Sequence, residues 1–150
     1  MPEEERDPIL ERILLRKLKS LMEQSMRKEE VSKERIIHVR SLKELKALLN
    51  KATGERKPVI VDFWAPWCGP CLALAPVFEQ VAREFGDRAY FVKVNVDEAT
   101  EIAFEFGIMS IPTLIAFVNG EPADIRIGYM PAKVLTKWVG GLIKRALNES

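Results

Sequence analysis

Cysteine is nearly absent from this chain of 150 residues: there are two, Cys68 and Cys71, and a single histidine, His38. A structural zinc site normally takes four cysteine or histidine ligands, so three such residues leave a zinc centre short unless carboxylates or a second subunit complete it. Charge of one sign is also lacking. With 23 Lys and Arg against 22 Asp and Glu, and a formal net charge of +1, no global field draws the chain to nucleic acid or to anionic lipid. No apolar run approaches the roughly 20 residues that cross a bilayer. The opening MPEEERDPIL has neither the basic stretch nor the apolar core of a secretory signal, which makes a cytoplasmic location the expectation. There, a stable structural disulfide is a poor use for two cysteines, although proteins of hyperthermophiles are an exception. Internal repeats and low-complexity tracts are missing as well.

What is present is enough for a core. The chain is 47% hydrophobic and 30% charged, which excludes a disordered protein and fits one compact domain with a modest extra segment. The extra segment is residues 1–33 and the domain is 34–150. Asp7-Pro8 supplies an N-cap acceptor followed by proline at the first helical position, and no breaker follows between Ile9 and Lys28. On a helical wheel Leu10, Leu14, Leu15, Leu18, Leu21, Met22 and Met26 form one broad apolar arc interrupted by Glu11, with Arg12, Arg16, Lys19, Glu23 and Arg27 opposite. Residues 28–34 read as a linker. The apolar arc needs a cover; docking on the chain's own domain is the expectation, with a homodimer or a dedicated partner as alternatives.

From Arg35 the pattern is βαβαβαββα. Residues 35–40 read as a strand, and Ser41-Leu-Lys-Glu44 has capping-box spacing for a helix to Asn50. Pro58–Trp64 is a nearly continuous β-prone apolar run, suited to a central strand covered on both faces. A helix from Cys68 to Phe85, with Pro76 inside, follows. Tyr90–Asn95 is a strand, Glu98–Phe106 a short helix, and Thr113–Val118 and Ala123–Ile127 flank the turn signal Asn119-Gly120, with Glu121-Pro122 lengthening the loop. A last amphipathic helix covers 133–147. This order predicts an α/β fold: a central mixed β-sheet with helices on both faces, plus the N-terminal amphipathic helix.

The two cysteines stand three apart in Trp64-Ala-Pro-Trp-Cys-Gly-Pro-Cys71. Zinc, a pair of buried structural cysteines and a redox couple all begin with that spacing. Position favours the last: Cys68 falls at the first turn of a helix leaving a central strand, where unpaired N–H groups and the positive end of the helix dipole stabilise a thiolate. Cys71, one turn deeper, is placed to resolve a mixed disulfide formed by Cys68. Gly69 removes bulk where a partner chain approaches, and Pro70 stiffens the turn.

Residues 61–71, VDFWAPWCGPC, resemble the active-site segment of the thioredoxin family. The similarity continues through Ala75-Pro76, Val92–Asp97, Phe106-Gly107, Ile111-Pro-Thr113, Asn119-Gly-Glu121 and Gly128, covering about residues 35–147. The resemblance implies the thioredoxin fold and a protein-disulfide reductase that works by dithiol–disulfide exchange, with no cofactor beyond a redox-active Cys68–Cys71 disulfide and no metal. It implies disulfide-containing protein substrates and a thioredoxin reductase as partners. It gives Ile111-Pro112 the family's cis-proline loop, Asp62 the buried carboxylate that takes a proton from Cys71, and Lys93 the lysine near that aspartate. Trp67, Gly69, Pro70, Ile111, Pro112, Gly128 and Tyr129 would form the docking surface. Two positions depart from the pattern: Leu72 stands where many members have lysine, and Tyr129 where a small residue is frequent. A thiol oxidase or isomerase of the same fold, or an adaptor using the N-terminal helix, are the alternatives.

Overall fold

The computed structural model describes residues 7–148, with the side chains of 25–34 outside the described set. The first helix, α1, spans Pro8–Arg35 and starts as its sequence dictates, with the Asp7 carboxylate accepting from the Ile9 N–H at 3.0 Å. Its backbone stays helical through 28–34, the stretch expected to be a linker. Nothing there breaks a helix: the stretch holds no proline or glycine, so the helix continues until the β-branched pair Ile36-Ile37 enters the sheet.

Five strands follow: β1 (Ile36–His38), β2 (Val59–Trp64), β3 (Tyr90–Asn95), β4 (Thr113–Val118) and β5 (Glu121–Ile127). They form one sheet in the order β1-β3-β2-β4-β5. The β1–β3 and β3–β2 pairs are parallel, and the β2–β4 and β4–β5 pairs antiparallel. The mixed sheet and the element order are those expected. The helices are α2 (Leu42–Gly54), α3 (Gly69–Phe85), α4 (Thr100–Glu105) and α5 (Ala132–Asn148).

Two differences from the sequence expectation have simple causes. Helix α2 runs to Gly54, four residues past Asn50, because its buried side (Leu45, Leu49, Ala52) continues the helical spacing. Its start matches: Ser41 Oγ accepts from the Glu44 N–H at 3.2 Å. The β4–β5 loop is only two residues long, with Asn119 at φ 57° and Gly120 at φ 83°, so Glu121-Pro122 belongs to β5. The expected extra length appears instead as a register shift at Ala116/Phe117, which places Pro122 opposite Phe117.

The core lies on both faces of the sheet. Ile60, Phe91, Leu114 and Ala116 pack with Leu74, Phe78, Val81 and Phe85 of α3 and Leu135, Val139 and Leu142 of α5. On the opposite face Val61, Phe63, Val92, Val94, Ile115 and Phe117 meet Leu45 and Leu49 of α2 and Ile102 of α4. This two-sided burial is why β2 reads as a continuous apolar run.

Helix α1 departs from the rest. Ile9, Leu10, Ile13, Leu14, Leu15, Leu18, Leu21 and Met22 are each 53–68% exposed. The expectation that its apolar arc docks on the chain's own domain therefore fails for every apolar side chain described; Met26 lies outside the described side chains. At the end of α1 the Arg35 guanidinium lies over Gly86, where a Cβ would sit 2.7 Å from Nη1.

Candidate functional site: a cysteine pair at a strand-to-helix junction

Strand β2 and helix α3 build the site between them. The chain leaves the sheet at Trp64, turns through Ala65-Pro66-Trp67, and enters α3 with Cys68 as its N-cap and Pro70 in the first turn. Proline is tolerated there because its missing N–H is one of the helix's unpaired donors anyway. Cys68 Sγ accepts from the Cys71 N–H at 3.3 Å, filling the N-cap role that an oxygen usually takes. Cys68 and Cys71 form a disulfide, with Cα atoms 5.2 Å apart. Both are buried, Cys71 the more deeply, so the pair is asymmetric: Cys68 is nearer the surface and Cys71 lies under the helix.

The loop before β4 closes the other side. The Ile111–Pro112 peptide is cis, and the Ile111 carbonyl oxygen lies 3.8 Å from Cys68 Sγ. Two hydrogen bonds hold this loop: Gly128 N–H donates to the Pro112 carbonyl at 2.8 Å, and Thr113 Oγ1 donates to the Ser110 carbonyl at 2.6 Å. Gly128 takes φ 92°, a conformation that favours glycine. Ile111, Pro112 and Gly128 are thus gathered beside the cysteines.

Asp62 lies on β2 with its side chain on the α3 side of the sheet, the side that holds Ile60 and, on the helix, Cys71 and Leu74. It is fully buried, and neither carboxylate oxygen has a hydrogen-bond partner among the described residues. Burial is the main influence and pushes its pKa up from 3.8 to about 7, while the Lys93 charge opposes the rise. Lys93 is the register partner of Asp62 on β3. It is almost buried, and its ammonium lies 4.6 Å from the centre of the Trp64 ring.

The remaining expected positions form the rim. Trp67 is 70% exposed, and Gly69, Pro70 and Tyr129 are exposed beside it. The sequence reading did not find what steadies Trp67: its indole N–H donates to Asp97 Oδ2 at 2.8 Å. Asp97 follows β3, where its own N–H donates to Asn95 Oδ1; the separation of 30 residues gives no local signal. Met109, two residues before Ile111, is 98% exposed. Leu72 is exposed on the first turn of α3 and adds apolar surface where a charge was the family expectation. His38 is exposed at the sheet edge on β1. Among the described residues no three His, Cys, Asp or Glu side chains gather as a metal site would require.

A disulfide that caps a helix, faces a cis-proline loop and has a buried acid behind it defines a dithiol–disulfide oxidoreductase. Relatives agree with the geometry. The thioredoxin family profile matches residues 37–140. A thioredoxin of Alicyclobacillus acidocaldarius is 54% identical over 79 residues, 53% of this chain and 75% of that protein. One of Rickettsia typhi is 45% identical over 90 residues, 60% of this chain and 86% of its own. The crystal structure of a reduced Schistosoma mansoni thioredoxin pre-protein superposes with a TM-score of 0.64 at 36% identity, covering 71% of this chain and 97% of that one. The chain belongs to the thioredoxin family. The family match begins at residue 37, so α1 lies wholly outside the matched residues.

Proposed function

We propose that the protein reduces disulfides in other proteins, with Cys68 as nucleophile and Cys71 as resolving thiol. The observation that carries this reading is Cys68 at the N-cap of α3 with the Ile111 carbonyl 3.8 Å away. Once the pair is reduced, the helix N-terminus favours a thiolate at Cys68. That thiolate attacks one sulfur of a substrate disulfide laid along Ile111-Pro112; a Cys68–substrate bond forms and the other substrate sulfur leaves as thiolate. Cys71 then gives up its proton to Asp62, directly or through water, and attacks Cys68 Sγ. The substrate leaves with two thiols, and the Cys68–Cys71 disulfide holds the oxidising equivalents.

Asp62 suits the proton step because burial brings its pKa near neutrality. Lys93 acts on Asp62 rather than on the substrate. Trp67, Gly69, Pro70, Ile111, Pro112, Gly128 and Tyr129 make the docking rim. The cycle needs no cofactor beyond the cysteine pair, and a thioredoxin reductase returns the two electrons. The reading places the protein in the cytoplasm; no helix among the described residues is long and apolar enough to cross a membrane. It treats residues 34–150 as the catalytic domain and 1–33 as a separate extension, whose exposed apolar face serves association rather than redox chemistry.

Insulin reduction with dithiothreitol as electron source tests the nucleophile. Wild type accelerates the reaction and Cys68→Ser does not; equal activity in the variant overturns the assignment. A reduction potential well above that of thioredoxins would instead make the protein an oxidase or isomerase.

A further inference from the structure

Resting on the reading of Asp62 as the acceptor of the Cys71 proton, we infer that Trp64 is a positioning residue for that acid. Its indole ring holds the Lys93 ammonium away from the Asp62 carboxylate, which leaves the carboxylate a strong enough base to take a thiol proton.

The arrangement starts from the register of the sheet. Lys93 of β3 lies level with Asp62 of β2, and Asn95 with Trp64. Residues two apart on a strand share a face, so Asp62 and Trp64 point to the same side of β2. Lys93 shares that side, since Phe91, two residues before it, packs with Ile60 against α3. It therefore stands beside Asp62 and diagonal to Trp64, and its four-carbon stem reaches either neighbour across strands about 4.8 Å apart. The ammonium goes to the ring. Nζ lies 4.6 Å from the centre of Trp64, whereas neither Asp62 oxygen has a hydrogen-bond partner and no ion pair joins Asp62 to Lys93 among the described residues.

Direct contact with the ammonium would favour the ionised carboxylate and lower its pKa by about 1–3. A carboxylate held that way is a poor acceptor for a thiol proton. Two features keep the lysine on the ring instead. Trp64 is fixed, because it packs against Ala65, Cys68 and Cys71. Lys93 also borders a cavity of 160 Å³, shared with His38, Arg40, Trp64, Asn95 and Glu98, which has room for water to solvate the ammonium. No other charge competes for the acid. Arg40 and Glu98 pair with each other at 3.5 Å. His38, level with Lys93 on β1, has its pKa lowered by burial and then by the Lys93 and Arg40 charges, so it is neutral near pH 7. Asp62 itself meets Leu114 on β4 and Cys71 and Leu74 on α3, all uncharged as thiol or hydrocarbon. Lys93 is the one charge that acts on Asp62, and Trp64 sets where it stands.

NMR titration of the Asp62 carboxyl carbon in the oxidised full-length protein tests the inference without any thiol chemistry. Wild type titrates near pH 7. Trp64→Phe keeps an aromatic face and titrates within about 0.3 pH units of wild type. Trp64→Leu has no such face, and its Asp62 titrates at least about one pH unit lower as the freed ammonium pairs with the carboxylate. In a Lys93→Met background the same leucine substitution moves the Asp62 titration by less than about 0.3 pH units, since no ammonium is left to release. An unchanged titration in Trp64→Leu overturns the inference. So does a fall of equal size in the Lys93→Met background, which would mean that water enters where the ring was. A measurement on wild type alone decides the matter if a variant does not fold. The Lys93 ε-methylene protons lie upfield through the Trp64 ring current and stay there on both sides of the Asp62 titration. Their return downfield as Asp62 ionises would show the ammonium swinging to the carboxylate and overturn the inference. None of these readings involves Cys71. If Asp62→Asn resolves a mixed disulfide as fast as wild type, the acceptor role fails while the titrations stand, so the two failures are distinct.

Discussion

Asp62 and Lys93 sit side by side on neighbouring parallel strands, both withdrawn from water, and the acid has no hydrogen-bond partner among the described residues. A carboxyl group held this way resists ionisation more than the lysine charge can offset. Its pKa lies near 7 in the folded protein and 3.8 is the ordinary value. Folding therefore retains a proton that the unfolded chain gives up.

That difference sets a pH dependence of stability. Below about pH 4 Asp62 is protonated in both states and costs nothing. Between pH 4 and 7 the unfolded chain loses the proton while the folded chain keeps it, so stability falls as pH rises; above 7 the full penalty is present. A shift of about three units corresponds to a loss on the order of 4 kcal/mol. Asp62→Asn does not titrate. Urea unfolding of the oxidised proteins at several pH values should show wild type losing stability relative to the variant across this window. Parallel curves would mean that Asp62 ionises normally in the fold.

The same substitution separates proton transfer from nucleophilic attack. If Asp62 takes the Cys71 proton as proposed, the variant leaves Cys71 to surrender it to solvent, which slows resolution and leaves the first attack intact. At pH 7, Asp62→Asn should resolve the mixed disulfide about tenfold or more slowly than wild type. The covalent complex should accumulate on a non-reducing gel. Raising the pH should close the gap, as Cys71 then ionises unaided. A variant slowed equally in the attack step would put the role of Asp62 at Cys68 instead.

The sequence revealed most where the chemistry is local. The Asp7 cap, the Ser41 cap, the β2 run and the cysteines at the start of α3 are each set by neighbours within a few residues, and the structure places all four as expected. What stayed hidden depends on contacts distant in the chain. Asp97 meets Trp67 across 30 residues, and the β4–β5 bulge follows from register between strands rather than from the turn itself. The apolar arc of α1 was legible, but whether it was covered was not: a helical wheel shows a face and says nothing of what opposes it. Residues 28–34 misled through polarity. A stretch rich in Lys and Glu has the composition of a linker, and the absence of glycine and proline was the better guide.

Trp67 tests how far the rim, as opposed to the cysteines, determines turnover. Its indole is exposed, so Trp67→Ala removes little packing, and unfolding midpoints should stay within about 0.5 kcal/mol of wild type. If Trp67 belongs to the docking rim as proposed, KM for insulin should rise several-fold, about the effect of removing one aromatic contact worth roughly 1 kcal/mol. Asp97→Ala keeps the ring and frees it from its 2.8 Å hydrogen bond. The expected result is a smaller rise in KM with kcat unchanged. If Asp97→Ala lowers kcat and leaves KM alone, the hydrogen bond serves the chemistry and not the docking of substrate.

Two glycines beside the disulfide should respond to the same substitution in opposite ways. Gly69 opens α3 with ordinary helical geometry, and a Cβ there would meet no atom within 4 Å. Gly69→Ala should stabilise the protein by about 0.5 kcal/mol, through the unfolded chain's lost freedom and alanine's better helix propensity. Gly128 also has free space around it but holds φ +92°. Gly128→Ala is therefore strained by backbone geometry alone, at a cost of about 1–2 kcal/mol, and the strain bears on the N–H that donates to the Pro112 carbonyl. Activity should fall in both, for different reasons: the alanine methyl group at 69 would occupy the proposed approach to Cys68, whereas the change at 128 displaces the loop proposed to hold substrate. Urea midpoints distinguish the two, one rising as the other falls. A Gly69→Ala variant with raised stability and full activity would show that substrate approaches Cys68 from the Ile111 side without crossing the first turn of α3.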